Sequence, residues 1–359
     1  MISFLLSLSM FNAPVEIDLS LLQLPDGHKI EVVAQADNVR QLALAQDGTL
    51  FAGSRRAGNV YALVDKDRDG SYESTILISS GLNMPSGVAV KGNDLYVAEV
   101  ERILVFKNIL PLDENNLPPA TVYFDQLPNK RHHGWKYLKF GPDGLLYFNI
   151  GAPCNICLPE HPFATLVRLT KTKQLEVIAS GVRNSVGFTW NPSSKKMWFT
   201  DNGRDHLGDD IPSDELNRIE IVGQHFGYPF MHANNVRDPA YGKQGKNEKL
   251  SPPTYELGAH VAPLGLTFYT GNSLPESNAN TLYIAEHGSW NRSKKSGYRV
   301  VKLQIKNGEV LSHQPFIQGW MRNEEHWGRP NDIIVDKDGS LLISDDYAGV
   351  VYRVSRSNQ

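Results

Sequence analysis

Several residues, far apart in the chain, are of types that could do chemistry together. They are His133, the pair Arg183-Asn184, and the polar run Asp201-Asn202-Gly203-Arg204-Asp205. Arg40, Arg329 and a basic group, Arg292, Lys294 and Lys295, add positive charge. Nearby cations disfavour an imidazolium, so a histidine among arginines stays neutral. A neutral imidazole can accept a proton, as a general base must. Clustered guanidiniums suit carboxylates through paired hydrogen bonds, and a cationic cleft focuses its field on an anionic ligand. The bland alternative is a solvated basic rim and a structural histidine.

Something must bring these residues to one edge, and residues 181–215 show how. Val186–Trp190 reads as a strand, Asn191–Ser194 as a turn, and Met197–Thr200 as the returning strand. A hairpin sets its entry and exit side by side. Arg183-Asn184 and Asp201–Asp205 are therefore predicted neighbours. The same pattern recurs at 42–53, 88–99, 138–151, 188–203, 266–288 and 333–346. The first four starts are 46, 50 and 50 residues apart; the intervals of 78 and 67 that follow hold insertions. Asp47-Gly48, Asp143-Gly144 and Asp338-Gly339 are hairpin-turn dipeptides, and Gly92-Asn93 does the same work. Further strand-like runs follow most hairpins, such as Ile103–Lys107 and Thr121–Asp125 after the second.

Four strands per unit and six units predict an all-β fold, a six-bladed β-propeller with four-stranded antiparallel blades. The last unit lacks a strand, and Ile30–Ala36 can supply it. That closes the ring by joining an N-terminal strand to the C-terminal blade and removes an exposed edge. A single domain over residues 14–359 follows. Residues 227–263, rich in Pro, Asn and Gly, form an insertion around the fourth blade whose strands the pattern leaves unassigned. The residues just before each innermost strand are predicted to line the axis. They are Arg40, Ser86, His133, Arg183-Asn184, Pro263 and Arg329. The long connections 151–164, 201–215 and 286–297 share their face, where function usually sits.

The net charge of −3 points neither to nucleic acid nor to a membrane surface. No apolar run is long enough to span a bilayer. Residues 1–13, MISFLLSLSMFNA, read as the apolar part of a secretory signal ending in a small residue. The only cysteines, Cys154 and Cys157, have too few metal-binding neighbours for zinc. A local disulfide in an oxidising, periplasmic or secreted setting is the expectation.

Five motifs occur in order around the ring: His-His-Gly-Trp…Phe-Gly-Pro-Asp-Gly (132–144), Ser-Gly-Val-Arg-Asn-Ser (180–185), Asp-Asn-Gly-Arg-Asp…Asp-Glu-Leu-Asn (201–217), His-Gly-Ser-Trp-Asn-Arg (287–292) and Gly-Arg-Pro-Asn-Asp (328–332). With them the chain resembles the pyrroloquinoline quinone (PQQ)-dependent soluble sugar dehydrogenases, more closely the L-sorbosone dehydrogenase-like branch, over most of residues 30–355. The resemblance implies PQQ across the axis, with calcium on its quinone edge. It implies oxidation of an aldose or sorbosone-type sugar at C1, hydride transfer to the quinone, and electrons passed to an external acceptor, a cytochrome or quinone. His133 stands at the catalytic base position, with His132 the alternative. Arg183 matches the arginine that stabilises the quinone oxygen. Asn184 and Asn202 match cofactor contacts, and Gly203 and Arg204 match backbone-carbonyl calcium ligands. Arg329 matches a carboxylate-binding arginine, and Arg40 joins it as a cofactor-binding candidate. A second arginine of the family pattern is replaced by Asn331. The family's cofactor-binding lysine has no clear counterpart; Arg292, Lys294 and Lys295 are candidates, and His287 with Trp290 an alternative contact.

Asp65–Gly70 begins like a calcium loop, but Ile76 stands where an EF-hand carries Glu, so a polar turn is preferred. Asp209, Asp210, Asp214 and Glu215 are read as bracing their loop or binding a second cation. Two rival functions remain at this level. One is a metal-dependent lactonase-type propeller, disfavoured because the axial positions are mostly Arg, His, Ser and Pro. The other is a propeller that binds without catalysing.

Overall fold

The structure, a computed structural model, describes residues 15–275 and 277–357. The segment read as a secretory signal, residues 1–13, lies outside them. Six four-stranded antiparallel units form a propeller ring, as the repeat predicts. From the axis outward, blade 1 contains Val39–Leu44, Leu50–Ser54, Val60–Val64 and Ser74–Ser79. Blade 2 contains Gly87–Lys91, Asp94–Ala98, Ile103–Phe106 and Ala120–Phe124. Blade 3 contains Leu138–Phe140, Leu146–Ile150, Thr165–Leu169 and Leu175–Ser180. Blade 4 contains Phe188–Trp190, Met197–Asp201, Ser213–Arg218 and Tyr255–Ala259. Blade 5 contains Pro263–Phe268, Thr281–Glu286, Arg299–Lys306 and Glu309–Gln318. Blade 6 contains Pro330–Val335, Leu341–Asp345 and Val350–Arg356, with the N-terminal strand His28–Gln35 outermost. That strand runs antiparallel to the last, from His28 opposite Arg356 to Gln35 opposite Val350, and closes the ring.

Apolar side chains pack chiefly in six clusters, one between each pair of neighbouring blades. Phe51 and Val60 of blade 1 meet Val88 and Val97 of blade 2, and Leu42 of blade 1 meets Leu342 and Val351 of blade 6. Both faces of a blade are therefore covered. This is why second strands such as Leu50–Ser54 and Leu146–Ile150 are buried at every residue instead of alternating. Tight turns join first and second strands. In blade 3, Gly144 takes a φ of 73°, which a residue with a Cβ resists, and Asp143 accepts the Leu145 N–H at 3.0 Å.

Blade 4 departs from expectation. Its third strand begins at Ser213, so Asp214 and Glu215 are strand residues and not part of a loop. The sequence SDELNR conceals a strand because its buried members are polar. They are tolerated because their carboxylates are satisfied: Asp214 accepts the N–H groups of Gly203 and Ala262, and Glu215 accepts that of Ala233. The insertion before the fourth strand also reaches back to blade 3, where Gln224–His225 pairs in parallel with Leu175–Ser180.

Candidate active site

Buried carboxylates present the axial residues. The second strands of blades 4 and 6 end in Asp201 and Asp345, Glu99 directly follows that of blade 2, and each grips the loop feeding its own blade's first strand. Glu99 accepts the Asn83 N–H at 2.6 Å, and Asp345 accepts that of Arg329 at 2.9 Å. Asp201 accepts the N–H groups of both Arg183, at 2.8 Å, and Asn184, at 2.6 Å. The juxtaposition predicted for residues 181–215 is thus made by direct bonds. The signal lay in the strand ends Val-Ala-Glu, Phe-Thr-Asp and Ile-Ser-Asp, legible only once the repeats are aligned.

These loops enclose an axial cavity of about 320 Å³. His133, Arg183, Arg40, Asn184, Asn202, Gly203, His287, Trp290 and Arg329 all line it. The side chains of Arg204 and Arg292 turn elsewhere. Arg204 bonds Asp238 at 2.5 Å, and Arg292 bonds the Asp209 carbonyl at 2.9 Å and the Asp210 carboxylate at 3.0 Å. Lys294 and Lys295 are not among the lining residues either. Arg55, Arg56 and Trp135 are.

His133 is buried with a φ of 48°, backed by Gly151, where a Cβ would fall 2.6 Å from that of His133. Its Nδ1 lies 2.9 Å from the Ala152 carbonyl. A carbonyl only accepts, so Nδ1 carries the hydrogen and Nε2 holds the lone pair. Burial first, then Arg183, His132 and Arg55, hold its pKa well below the usual 6.5. Burial therefore outweighs the neighbouring cations that the sequence suggested.

Arg183 is clamped. Its Nε donates to the Asn155 carbonyl at 2.9 Å, and one terminal nitrogen donates to the Asn202 carbonyl at 3.0 Å. The other reaches Asn155 Oδ1 at 2.8 Å and Asp205 at 3.1 Å. Five N–H groups less these four leave one uncommitted. Asn155 sits between Cys154 and Cys157, which are disulfide-bonded as expected. The sequence offered no sign of its role.

Across the mouth, Asp346 bridges Arg40 and His287, each at 2.6 Å. Burial pushes Asp346 upward, but His287 and Arg40 outweigh it and keep the carboxylate ionised. Burial pushes His287 down to about 3, so it is neutral and donates to Asp346. Asn331, with its amide oxygen turned to Arg40, accepts from that guanidinium at 2.8 and 3.0 Å. Arg329 donates to the carbonyls of His287 and Gly288. Arg55 lies 3.8 Å over the Trp135 ring, and burial, then Arg40, push it down to about 9. Among the described residues Arg55, Arg56 and Arg329 have no carboxylate partner, whereas Arg40 and Arg183 do. Arg55 Nε, Trp135 Nε1 and Asn184 Oδ1 are buried without hydrogen-bond partners.

Over 352 residues the chain is 38% identical to an uncharacterized protein of Borreliella burgdorferi, covering 93% of this chain and 91% of that one. A segment of 130 residues is 32% identical to the pyrroloquinoline quinone-dependent pyranose dehydrogenase of Coprinopsis cinerea, covering 31% of this chain and 17% of that protein. A family described as TrAA12-like matches residues 237–357. The chain belongs to one family with the Borreliella burgdorferi protein. The fold is shared with solved structures over nearly the full length. The holo PQQ domain of the Coprinopsis cinerea pyranose dehydrogenase superposes with a TM-score of 0.79 at 18% identity, over 93% of this chain and 97% of that domain. The calcium structure of the Trichoderma reesei family AA12 enzyme gives 0.79 at 20% identity, over 94% and 97%. Asn331, where the sequence resemblance expects an arginine, holds Arg40 in place.

Proposed function

We propose that the protein is a PQQ-dependent oxidoreductase that oxidises an aldose or sorbosone-type sugar at C1 and passes the electrons to an external acceptor. One observation carries this reading: three guanidiniums without carboxylate partners, Arg55, Arg56 and Arg329, surround a cavity that also holds a buried, neutral histidine. Such a mouth fits a flat ligand with several carboxylates, and the unpartnered Arg55 Nε, Trp135 Nε1 and Asn184 Oδ1 offer it further polar contacts. Gly203 and the carboxylates of Asp205 and Asp214 make one side oxygen-rich, which suits calcium. When bound, PQQ supplies the hydride acceptor and calcium a Lewis acid at the quinone edge.

The protein's own residues do the rest. Arg55, Arg56 and Arg329 would hold carboxylates, with Asn184, Asn202, His287 and Trp290 alongside and Arg40 held in the wall by Asp346. The backbone carbonyls of Gly203 and Arg204 would bind the metal. Nε2 of His133 accepts the proton of the sugar hydroxyl, and the Ala152 carbonyl fixes the tautomer that makes this possible. The remaining N–H of Arg183 is a preorganised donor for developing negative charge. The disulfide supports a periplasmic or secreted location.

The test is reconstitution of the purified protein with PQQ and calcium, followed by dye reduction with aldoses and osones. Sugar-dependent reduction is expected, falling about 10²–10⁴-fold in His133→Ala while PQQ still binds. Failure to bind PQQ at about micromolar concentration ends this reading.

A further inference from the structure

The axis has a second end. Three side chains close the channel at mid-depth. Gln41 donates to the Leu138 carbonyl at 2.7 Å and accepts the N–H groups of Leu138 at 2.8 Å and Val88 at 3.2 Å. Asp332 accepts the Leu42 N–H at 2.9 Å and the Tyr137 hydroxyl at 3.3 Å. Blades 2, 4 and 5 place glycine two residues before the next ring, at Gly87, Gly187 and Gly265. A Cβ on any of them would meet a carbonyl oxygen or the Asp332 carboxylate within 2.8 Å.

Beyond this plug lies a cavity of about 380 Å³ that plays no part in the proposed reaction. Each blade contributes one inner-strand residue to its wall, in matching register: Ala43, Ala89, Lys139, Thr189, Thr267 and Ile334. The rings of Phe140, Trp190 and Phe268 follow. Lys139 is the one charged residue in that ring. Among the described residues its ammonium makes a single hydrogen bond, 3.3 Å to Thr189 Oγ1, and no ion pair. The nearest acid acting on it, Asp332, is already committed to Leu42 and Tyr137. An ammonium with two unspent donors in a recess is costly until an anion meets it.

We propose that this cavity is a second small-molecule site that takes an organic monocarboxylate with a short aliphatic or aromatic body. The carboxylate pairs with Lys139 and accepts from the hydroxyls of Thr189 and Thr267. The apolar body packs between Ala43, Ala89 and the aromatic rings. One ammonium matches one negative charge and leaves the further charges of phosphate or a polyanion without a cationic partner. The room exists because blades 1 and 2 supply alanine, and its volume suits a small ligand. The proposal stands apart from the reading of the other mouth.

Calorimetric titration with sodium hexanoate, and with hexanol as the neutral probe, tests it, with Trp190 fluorescence as a second readout. The arginine-lined cavity also attracts carboxylates, so Lys139→Met and Arg329→Gln are titrated in parallel. Hexanoate is expected to bind with a Kd of about 1 mM or below, and hexanol not at that level. Lys139→Met should weaken hexanoate at least about tenfold and Arg329→Gln should leave it unchanged. Lys139→Met keeps the volume and removes an enclosed charge, so it should fold, as circular dichroism will verify. No binding of hexanoate, equal binding by Lys139→Met and the parent, or a loss confined to Arg329→Gln overturns the proposal.

Discussion

Two nitrogen atoms of one ring divide the work at His133. Nδ1 is spent on the Ala152 carbonyl, and Nε2 remains for chemistry. Burial first, then Arg183, His132 and Arg55, keep the ring neutral. The folded pKa lies below the ordinary value, so the base form is present above that depressed pKa and is lost only as pH falls through it. In the reconstituted enzyme kcat/KM should therefore stay level through pH 6.5 and fall at lower pH. An acid limb centred at or above 6.5 would show that another group is the base. His132 is exposed and outside the cavity lining, so His132→Ala should lower turnover less than about fivefold, against the large loss in His133→Ala. His133 was legible because its motif is local. Asn331 was not: its worth lies in a bond to Arg40, from the opposite end of the chain.

Among the elements, the small loop closed by Cys154 and Cys157 matters most to the site. It carries Asn155, which makes two bonds to Arg183 and exchanges two more with Asp205. Tyr228, from the blade 4 insertion, accepts the Cys157 N–H at 3.1 Å and so ties the loop down. Asn155→Ala should lower kcat about tenfold while the sugar KM moves little, because it loosens a donor and removes no substrate contact. Replacing both cysteines by serine should cost about 2 kcal/mol in a denaturant titration, the loop-closure entropy of so short a ring. It should also lower kcat, and combining it with Asn155→Ala should add little further loss, since both act through Arg183. Fully additive losses would separate the disulfide from Arg183. The disulfide was legible from the count and spacing of the cysteines; its purpose was not, because Asn155 and Arg183 meet only across a blade boundary.

The whole molecule buries many ionisable groups, and their shifts oppose one another. Burial pushes Glu286 up to about 7 and Asp332 and Asp345 up to about 6. For these acids the folded pKa exceeds the unfolded one. Their contribution is complete below about pH 4 and is lost as pH rises through 6 to 7. Burial pushes His287 down to about 3 and His326 to about 4. Their contribution is present above about pH 6.5 and lost as pH falls. The unliganded protein should accordingly melt highest near pH 5–6.5, in thermal scans taken across the range. Glu286→Gln mimics the protonated acid and should flatten the alkaline side by up to about 1.4 kcal/mol per pH unit between pH 5 and 7. An unchanged slope would exclude Glu286 as a source of that loss.

The six hairpins, their turns, the closing N-terminal strand and the meeting of Arg183-Asn184 with Asp201–Asp205 were all determined by the sequence. Each is written locally, in strand alternation and turn dipeptides, and then repeated with a period that only a ring satisfies. The direction of each side chain was decided by tertiary structure. Arg204 and Arg292 turned to Asp238 and Asp210, while Arg55 and Arg56 came to line the mouth. Residues 213–218, polar in sequence, became a strand because neighbouring loops supply the N–H groups their carboxylates need. A buried charge settles where the fold brings its partner, within blade 4 for Arg204 and across blades 1 and 6 for Arg40.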